Sequence, residues 1–287
     1  MAETISIVIP VYNERRALFK TIKEIKNITS NIKDVIEIIT VNDCSTDNTG
    51  DILNSIKGIK VITHKSNRGY GASLKTGIKS AKGHYILIMD ADGTYPVKSI
   101  PKLVSLIKKH DMLIGLRKGK NVKIPLLRKP AKMFLNKFAS FLSGKKIPDL
   151  NSGMRIFSKE KCLEFWNLYP ERFSFTSTIT MAFIGKSYSV KYIPIEYYKR
   201  QGKSSISPFD FYNFSNLLLR LTLMFNPLKI FGLISFSLIC ISLIIGIYSM
   251  FIMGNLMDVT VLILLMSSLQ IFLFGLLAHM ISKKWVL

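Results

Sequence analysis

Tyr85-Ile86-Leu87-Ile88-Met89-Asp90-Ala91-Asp92 is the stretch on which the fold turns. Five apolar residues in a row suit a strand buried on both faces, and such strands belong to parallel sheets covered by helices. The run then stops on two carboxylates separated by one small residue. In such sheets ligands sit beyond the carboxyl ends of the strands, so the switch from apolar to acidic marks a site as well as a strand end. On this spacing one carboxylate can face a ribose or water and the other a hard cation, Mg²⁺ or Mn²⁺. Taken alone, a D-x-D is as readily a solvated turn.

The surroundings repeat the pattern. Ile5 to Val11, Val35 to Val41, Ile59 to His64 and Met112 to Leu116 are further short apolar or β-branched runs. Arg15 to Ile28, Thr49 to Ile56, Ala72 to Ala81 and Ile100 to Lys109 read as helices between them. Strand and helix alternating in this way predict an α/β domain with a mostly parallel sheet. Two more strands end on polar clusters, Tyr12-Asn13-Glu14 and Asn42-Asp43-Cys44-Ser45. Asp43 is placed to accept hydrogen bonds from the imide edge of uracil or guanine, or to cap the next helix.

The 287 residues carry 40 Lys+Arg against 18 Asp+Glu, a formal charge of +22. The apolar content excludes extended disorder. Basic charge alone gives only salt-sensitive nucleic-acid affinity, and no RNA-binding aromatic motif or zinc-finger spacing accompanies it, so no nucleic-acid partner is expected. Gly69 to Thr76 lacks the glycine that must precede Lys-Thr in a P-loop. Cys44, Cys162 and Cys240 form no pair, and His64, His84, His110 and His279 are scattered without ligand spacing and receive no role. Met1 to Pro10 lacks the basic and apolar regions of a signal peptide.

The C-terminal part differs in kind. No residue between Lys229 and Asp258 is charged, and between Asp258 and Lys283 the one ionisable residue in the apolar run is His279. Each stretch exceeds the roughly 20 apolar residues that cross a bilayer core. A transmembrane hairpin over residues 228–287 follows, with spans at about 229–253 and 259–281. Arg220, Lys229, Lys283 and Lys284 flank it and the connecting turn has no Lys or Arg, which places both termini in the cytoplasm. Residues 207–227, opening at Ser207-Pro208-Phe209-Asp210, read as an amphipathic helix along the membrane surface, and residues 1–206 as the α/β domain. From Met112 to Pro148 there are ten Lys or Arg and no acid, interleaved with Leu and Phe, which suits contact with anionic headgroups.

Ile7 to Glu14, Val41 to Asp47, Asn67-Arg68-Gly69-Tyr70-Gly71 and Asp90-Ala91-Asp92, in that order, resemble the family 2 glycosyltransferases of the GT-A fold. Asn151-Ser152-Gly153-Met154-Arg155 and Arg200-Gln201-Gly202-Lys203-Ser204 resemble the branch of dolichyl-phosphate mannose synthases and polyprenyl-phosphate glycosyltransferases. The resemblance implies a GT-A domain followed by an interface helix and a two-helix membrane hairpin. It implies a nucleotide pocket of Pro10, Tyr12, Asn13, Glu14 and Asp43, with Asp90, Ala91 and Asp92 at the donor diphosphate. Asp90 and Asp92 would hold Mg²⁺ or Mn²⁺, and Arg117 would contact donor phosphate. Ser152 and Arg155 would meet the lipid phosphate, with Arg200 and Lys203 on a loop closing over the site. Thr94 stands where some relatives place a Gln near the metal, which leaves the third ligand open.

The implied reaction moves a hexose from a GDP- or UDP-sugar to a polyprenyl or dolichyl phosphate. A family 2 enzyme using a hydroxyl acceptor, such as a glycolipid, is the alternative within the class, and a basic membrane scaffold is the alternative outside it. A hydroxyl nucleophile needs a carboxylate base and a phosphate does not. Asp149 to Arg155 offers no paired acid, which favours the phosphate acceptor.

Overall fold

The computed structural model describes residues 4–118, 129–172, 174–198, 210–252 and 258–286. The chain divides into two compact units, Met1–Ser140 with Lys145–Asn213, and Phe141–Gly144 with Phe214–Leu287.

The first unit is built on strands β1 (Ile5–Val11), β2 (Val35–Asn42), β3 (Lys60–Thr63), β4 (Tyr85–Ile88), β5 (Met112–Arg117), β6 (Arg155–Ser158) and β7 (Val190–Ile195). They form one sheet in the order β3-β2-β1-β4-β6-β5-β7. β1 is buried at all seven positions, which is why its sequence is apolar apart from Ser6, whose hydroxyl donates to Glu37. The β1–β2, β1–β4, β2–β3 and β5–β7 pairs are parallel, whereas β6 runs antiparallel to both its neighbours. The mostly parallel expectation is met, with β6 as the exception. Because of that reversal, Arg155 at the start of β6 lies opposite Ile88 and Ile114, near the carboxyl ends of β4 and β5.

Helices α1 (Leu18–Thr29), α2 (Thr49–Ser55), α3 (Tyr70–Ser80) and α4 (Ile100–Ile107) connect the strands close to where the sequence places them. α1 buries Leu18, Ile22 and Ile25 at helical spacing. Together with Ile5, Ile7, Ile9, Leu87 and Ile100 they form the main apolar core. Further along lie α5 (Lys129–Ser143), α6 (Lys159–Glu164) and α7 (Phe175–Gly185). α7 is buried from Phe175 through Ile184.

In the second unit, α8 (Asp210–Phe225) buries Leu217 and Leu221 and exposes Leu219 and Leu223. α9 (Pro227–Phe251) and α10 (Asp258–Val286) pack on each other as a hairpin. At 25 and 29 residues each is long enough, at about 1.5 Å per residue, to cross a bilayer core of about 30 Å. Their outer faces expose Leu, Ile, Phe and Met, while the seam is made by buried Ser235, Ser242 and Ser249, one every seven residues. The Ser235 and Ser268 hydroxyls lie 2.9 Å apart and each also donates to the other residue's carbonyl. The Ser242 hydroxyl donates to Val261 O. With no water available in hydrocarbon, satisfying these hydroxyls inside the pair is what permits serine there. The hairpin is a membrane anchor; its turn at residues 253–257 and the proposed helix start at 207–209 lie outside the described residues.

Candidate active site

The parallel register brings the ends of β1, β2, β4 and β5 to one edge of the sheet. Asn13 there adopts a left-handed φ of 54°, which Asn tolerates better than most residues. Its side-chain oxygen accepts from Thr46 N at 2.8 Å, its backbone N–H donates to the Ser45 hydroxyl, and Glu14 N donates to the Thr49 hydroxyl. The loops after β1 and β2 are thereby joined side by side. Pro10 is buried at the end of β1, and Tyr12 stands 45% exposed beyond it.

Asp43 is turned inward. Its Oδ1 accepts from His64 Nδ1 at 2.7 Å and Arg68 N at 2.9 Å, and Oδ2 accepts from Gly69 N at 2.7 Å. The carboxylate expected to read a nucleobase is buried against the segment between β3 and α3.

Asp90 and Asp92 follow β4. Asp90 Oδ1 accepts from the Tyr70 hydroxyl at 3.0 Å. Burial and the neighbouring Asp90 charge push the Tyr70 pKa well up, so Tyr70 acts there as a donor. Asp92 Oδ1 accepts from both Thr94 N and the Thr94 hydroxyl, at 3.1 and 2.6 Å. Thr94 thus orients Asp92, and no third carboxylate, His or Cys joins the two among the described residues. A Cβ on Gly153 would come 2.5 Å from Asp90 Oδ2, so glycine is what leaves room for that carboxylate. Two hard oxygen donors of this kind suit a Mg²⁺-type cation that would take its remaining ligands from a diphosphate and water.

A cavity of about 190 Å³ opens beside Asp90, lined by Tyr70, Asn151, Gly153, Arg172, Ser174, Thr176 and Ser177. At about 30 Å³ per water it holds roughly six waters, the scale of one sugar ring rather than a nucleotide. Asp90 is the one carboxylate in its lining. Ser174 has a left-handed φ of 76°, a strain that accumulates at functional sites.

Arg117, at the end of β5, makes a two-pronged pair with Asp149, Nε to Oδ2 at 2.8 Å and Nη2 to Oδ1 at 2.7 Å. Lys132 Nζ reaches the same Oδ1 at 3.1 Å. Asp149 has no exposed side-chain surface. Burial would raise its pKa, but the Arg117 and Lys132 charges outweigh that and hold it below the usual carboxylate value. Burial, then the Arg117 charge, lowers the Lys132 pKa, Asp149 offsetting only part. The trio carries a net positive charge. Arg117 also lies over the Tyr197 ring, which meets Tyr95 edge-on, and the Tyr95 hydroxyl accepts from Gly153 N. The larger cavity, about 550 Å³, lies away from the acidic pair, between Lys132, Lys137 and Lys146 on one side and Met133, Ile147 and Pro148 on the other.

Two residues expected at the lipid phosphate point elsewhere. Arg155 is completely buried, with its guanidinium donating to the carbonyls of Leu150, Ser152 and Thr176 and to the Thr180 hydroxyl. Those acceptors tie α7 to the Leu150–Ser152 turn, and burial lowers the Arg155 pKa. The Ser152 hydroxyl is also buried and donates to Gly115 O. Both are corrected to supports of the site's wall: Arg155 opens the antiparallel β6 with its guanidinium buried, and Ser152, in the turn before β6, bonds β5 through Gly115 O. Arg200 and Lys203 lie outside the described residues. Lys132, Tyr95 and Tyr197 were not singled out from sequence; Lys132 is one of ten cations in its stretch and nothing local distinguishes it.

The description "Glycosyl transferase family 2" matches residues 6–166, and "GtrB C-terminal hairpin" matches residues 226–283. The bactoprenol glucosyl transferase of Shigella phage SfV is 27% identical, over 98% of this chain and 94% of that protein. The low-salt glycan biosynthesis hexosyltransferase Agl6 of Haloferax volcanii is 28% identical over 73% of this chain, which spans about half of Agl6's length (51%). Among solved structures, glucosyl-3-phosphoglycerate synthase from Mycobacterium tuberculosis, in complex with Mn²⁺, UDP and phosphoglyceric acid, superimposes with a TM-score of 0.61. It is 16% identical, and the match covers 76% of this chain and 78% of that one, a likeness of fold. The first unit therefore has the GT-A fold, and the chain belongs to glycosyl transferase family 2, with a GtrB-type hairpin behind the catalytic domain.

Proposed function

We propose that the protein is a membrane-anchored inverting hexosyltransferase that moves a hexose from a UDP- or GDP-sugar to a polyprenyl phosphate of the undecaprenyl or dolichyl type. The observation that carries the choice of acceptor is the pairing of an acid-poor cavity with a net-cationic Arg117–Asp149–Lys132 cluster at the same sheet edge. An alcohol acceptor would have to lose a proton to a base as it attacks. The cavity's one carboxylate, Asp90, is already bonded to Tyr70 and adjoins the diphosphate position. A phosphate monoester arrives as an anion and needs cations to position it, which Arg117 and Lys132 supply.

In this reading Asp90 and Asp92 would hold a divalent cation beside the donor diphosphate, which when bound would supply charge neutralisation for the departing nucleotide. Tyr12 and the joined loops after β1 and β2 receive the nucleoside, and the sugar enters the cavity beside Asp90. Tyr70 keeps Asp90 oriented by its hydroxyl. Arg200 and Lys203 would complete the phosphate site. Catalytic domain and both termini face the cytoplasm, in keeping with the flanking Arg220, Lys229, Lys283 and Lys284. The bactoprenol acceptor named for the phage relative supports the same lipid class.

The test is transfer by the purified full chain, with Mn²⁺ or Mg²⁺, from a panel of UDP- and GDP-hexoses to polyprenyl phosphate and to the matching free polyprenol. Product on the phosphate alone is expected. Equal transfer to the alcohol would move the assignment to a hydroxyl-acceptor enzyme.

A further inference from the structure

His64, one residue past β3, lies under the candidate donor site without lining it. It is buried, and both ring nitrogens are engaged: Nδ1 with Asp43 Oδ1 at 2.7 Å and Nε2 with the Thr76 hydroxyl at 2.9 Å. An ionised carboxylate only accepts, so Nδ1 carries the proton toward Asp43, and Nε2 meets the Thr76 hydroxyl, which can donate or accept. Asp43 in turn holds the backbone N–H groups of Arg68 and Gly69, and Asn67 Nδ2 approaches Asp43 O at 3.4 Å. Gly69 has φ 101°, a conformation that a side chain would strain, and it leads directly into α3 at Tyr70. Tyr70 donates to Asp90.

These contacts form one chain, Thr76–His64–Asp43–Arg68/Gly69–Tyr70–Asp90, running from the body of α3 to the first carboxylate of the acidic pair. Each link but the Gly69–Tyr70 peptide is a hydrogen bond. Asp43 takes one backbone N–H on each carboxylate oxygen, from Arg68 and Gly69, and a second donor on Oδ1 from His64 Nδ1. The ring, pinned at its far nitrogen by Thr76, is the side-chain donor that braces the carboxylate.

We propose that His64 is a positioning residue of the donor site: by fixing Asp43 it sets the turn that delivers the Tyr70 hydroxyl to Asp90. The proposal rests on the nucleotide-sugar reading above. It predicts that loss of the Nδ1 proton donor weakens nucleotide binding although His64 touches no substrate, and that a side chain replacing only that donor restores it.

The measurement is calorimetric titration of the full chain in detergent with UDP, and separately GDP, in the presence of Mn²⁺, alongside melting temperatures. His64→Ala should bind about tenfold more weakly, the scale of one lost hydrogen bond to a charged group. His64→Asn, whose Nδ2–H can occupy the place of Nδ1–H, should stay within about threefold of the original protein. His64→Gln puts its amide where Nε2 lies and should behave like His64→Ala. A space-filling histidine would instead lower the melting temperature in all three variants while leaving nucleotide affinity of the folded protein unchanged. Folded His64→Ala binding as tightly as the original protein, or His64→Asn binding as weakly as His64→Ala, overturns the proposal. Should His64→Ala fail to fold, the Asn–Gln comparison still decides it. An original protein that binds neither nucleotide defeats the functional reading and this inference with it, a result distinct from variants that match a competent parent.

Discussion

Asp149 accepts two hydrogen bonds from the Arg117 side chain, at 2.7 and 2.8 Å, and a third contact from Lys132 at 3.1 Å. A carboxylate that sequence offers as a neighbour of the acceptor is thus the counter-ion that holds two cations in place. Asp149→Asn should therefore cost activity rather than spare it. Breaking one side of a buried pair costs about 3–5 kcal/mol. The pH dependence has a definite sign. Because the folded pKa lies below the ordinary 3.8, the stabilisation is complete above the ordinary carboxylate range and is lost as pH falls through the folded value. Chemical denaturation should show the full gap between original and Asp149→Asn protein at pH 7, shrinking only below about pH 4.

Thr94 donates its hydroxyl to Asp92 rather than standing free as a ligand. Asp92→Ala should abolish transfer, and EDTA should do the same to the original protein. Thr94→Val, which keeps shape and removes the hydroxyl, should weaken Mn²⁺ affinity by about 10- to 100-fold, as expected for a group that orients a ligand. The check is activity against Mn²⁺ concentration. An unchanged metal midpoint in Thr94→Val would show that Asp92 needs no such support.

Gly153 leaves space for Asp90. Gly153→Ala would force the carboxylate to shift. A displacement near 1 Å at a reacting centre costs about 100-fold in rate. Loss of transfer with an unchanged melting temperature is the expected result.

Arg155 serves the wall of the cavity. Arg155→Ala should leave several buried carbonyls unpaired, at about 1–3 kcal/mol each, and appear first as lost stability. Arg117→Ala, by contrast, should raise the KM for polyprenyl phosphate. Comparing melting temperatures with acceptor KM separates the two arginines, and a folded Arg155→Ala with a selectively raised acceptor KM would return Arg155 to the phosphate.

How much of this the sequence discloses depends on what each residue's neighbours are. β1, β2 and β4 are legible because burial selects mostly apolar and β-branched residues in them, and the polar clusters after them stand out by contrast. β6 is not: Arg155-Ile156-Phe157-Ser158 is four residues long, begins with a charge and pairs antiparallel across the sheet. α7 is hidden because Phe-Thr-Ser-Thr-Ile-Thr has strand-like residue types that burial holds in a helix. The acidic pair and Arg117 are visible as residue types at strand ends. The orientation of Asp43, Ser152 and Arg155 is not, since it is decided by partners 20 or more residues away in the case of Asp43 and Ser152, and in part so for Arg155.

The serines at 235 and 242, whose hydroxyls bond α10, also fix how the two membrane helices can move. Rotating α9 or sliding it by one residue would turn their hydroxyls toward hydrocarbon, and a slide that realigned them would need a full seven residues, about 10 Å. Intermediate positions are all worse than the one observed. The hairpin thus behaves as a latch with a single notch, so the substrate cycle must be carried by strand-end loops while the anchor stays fixed in register.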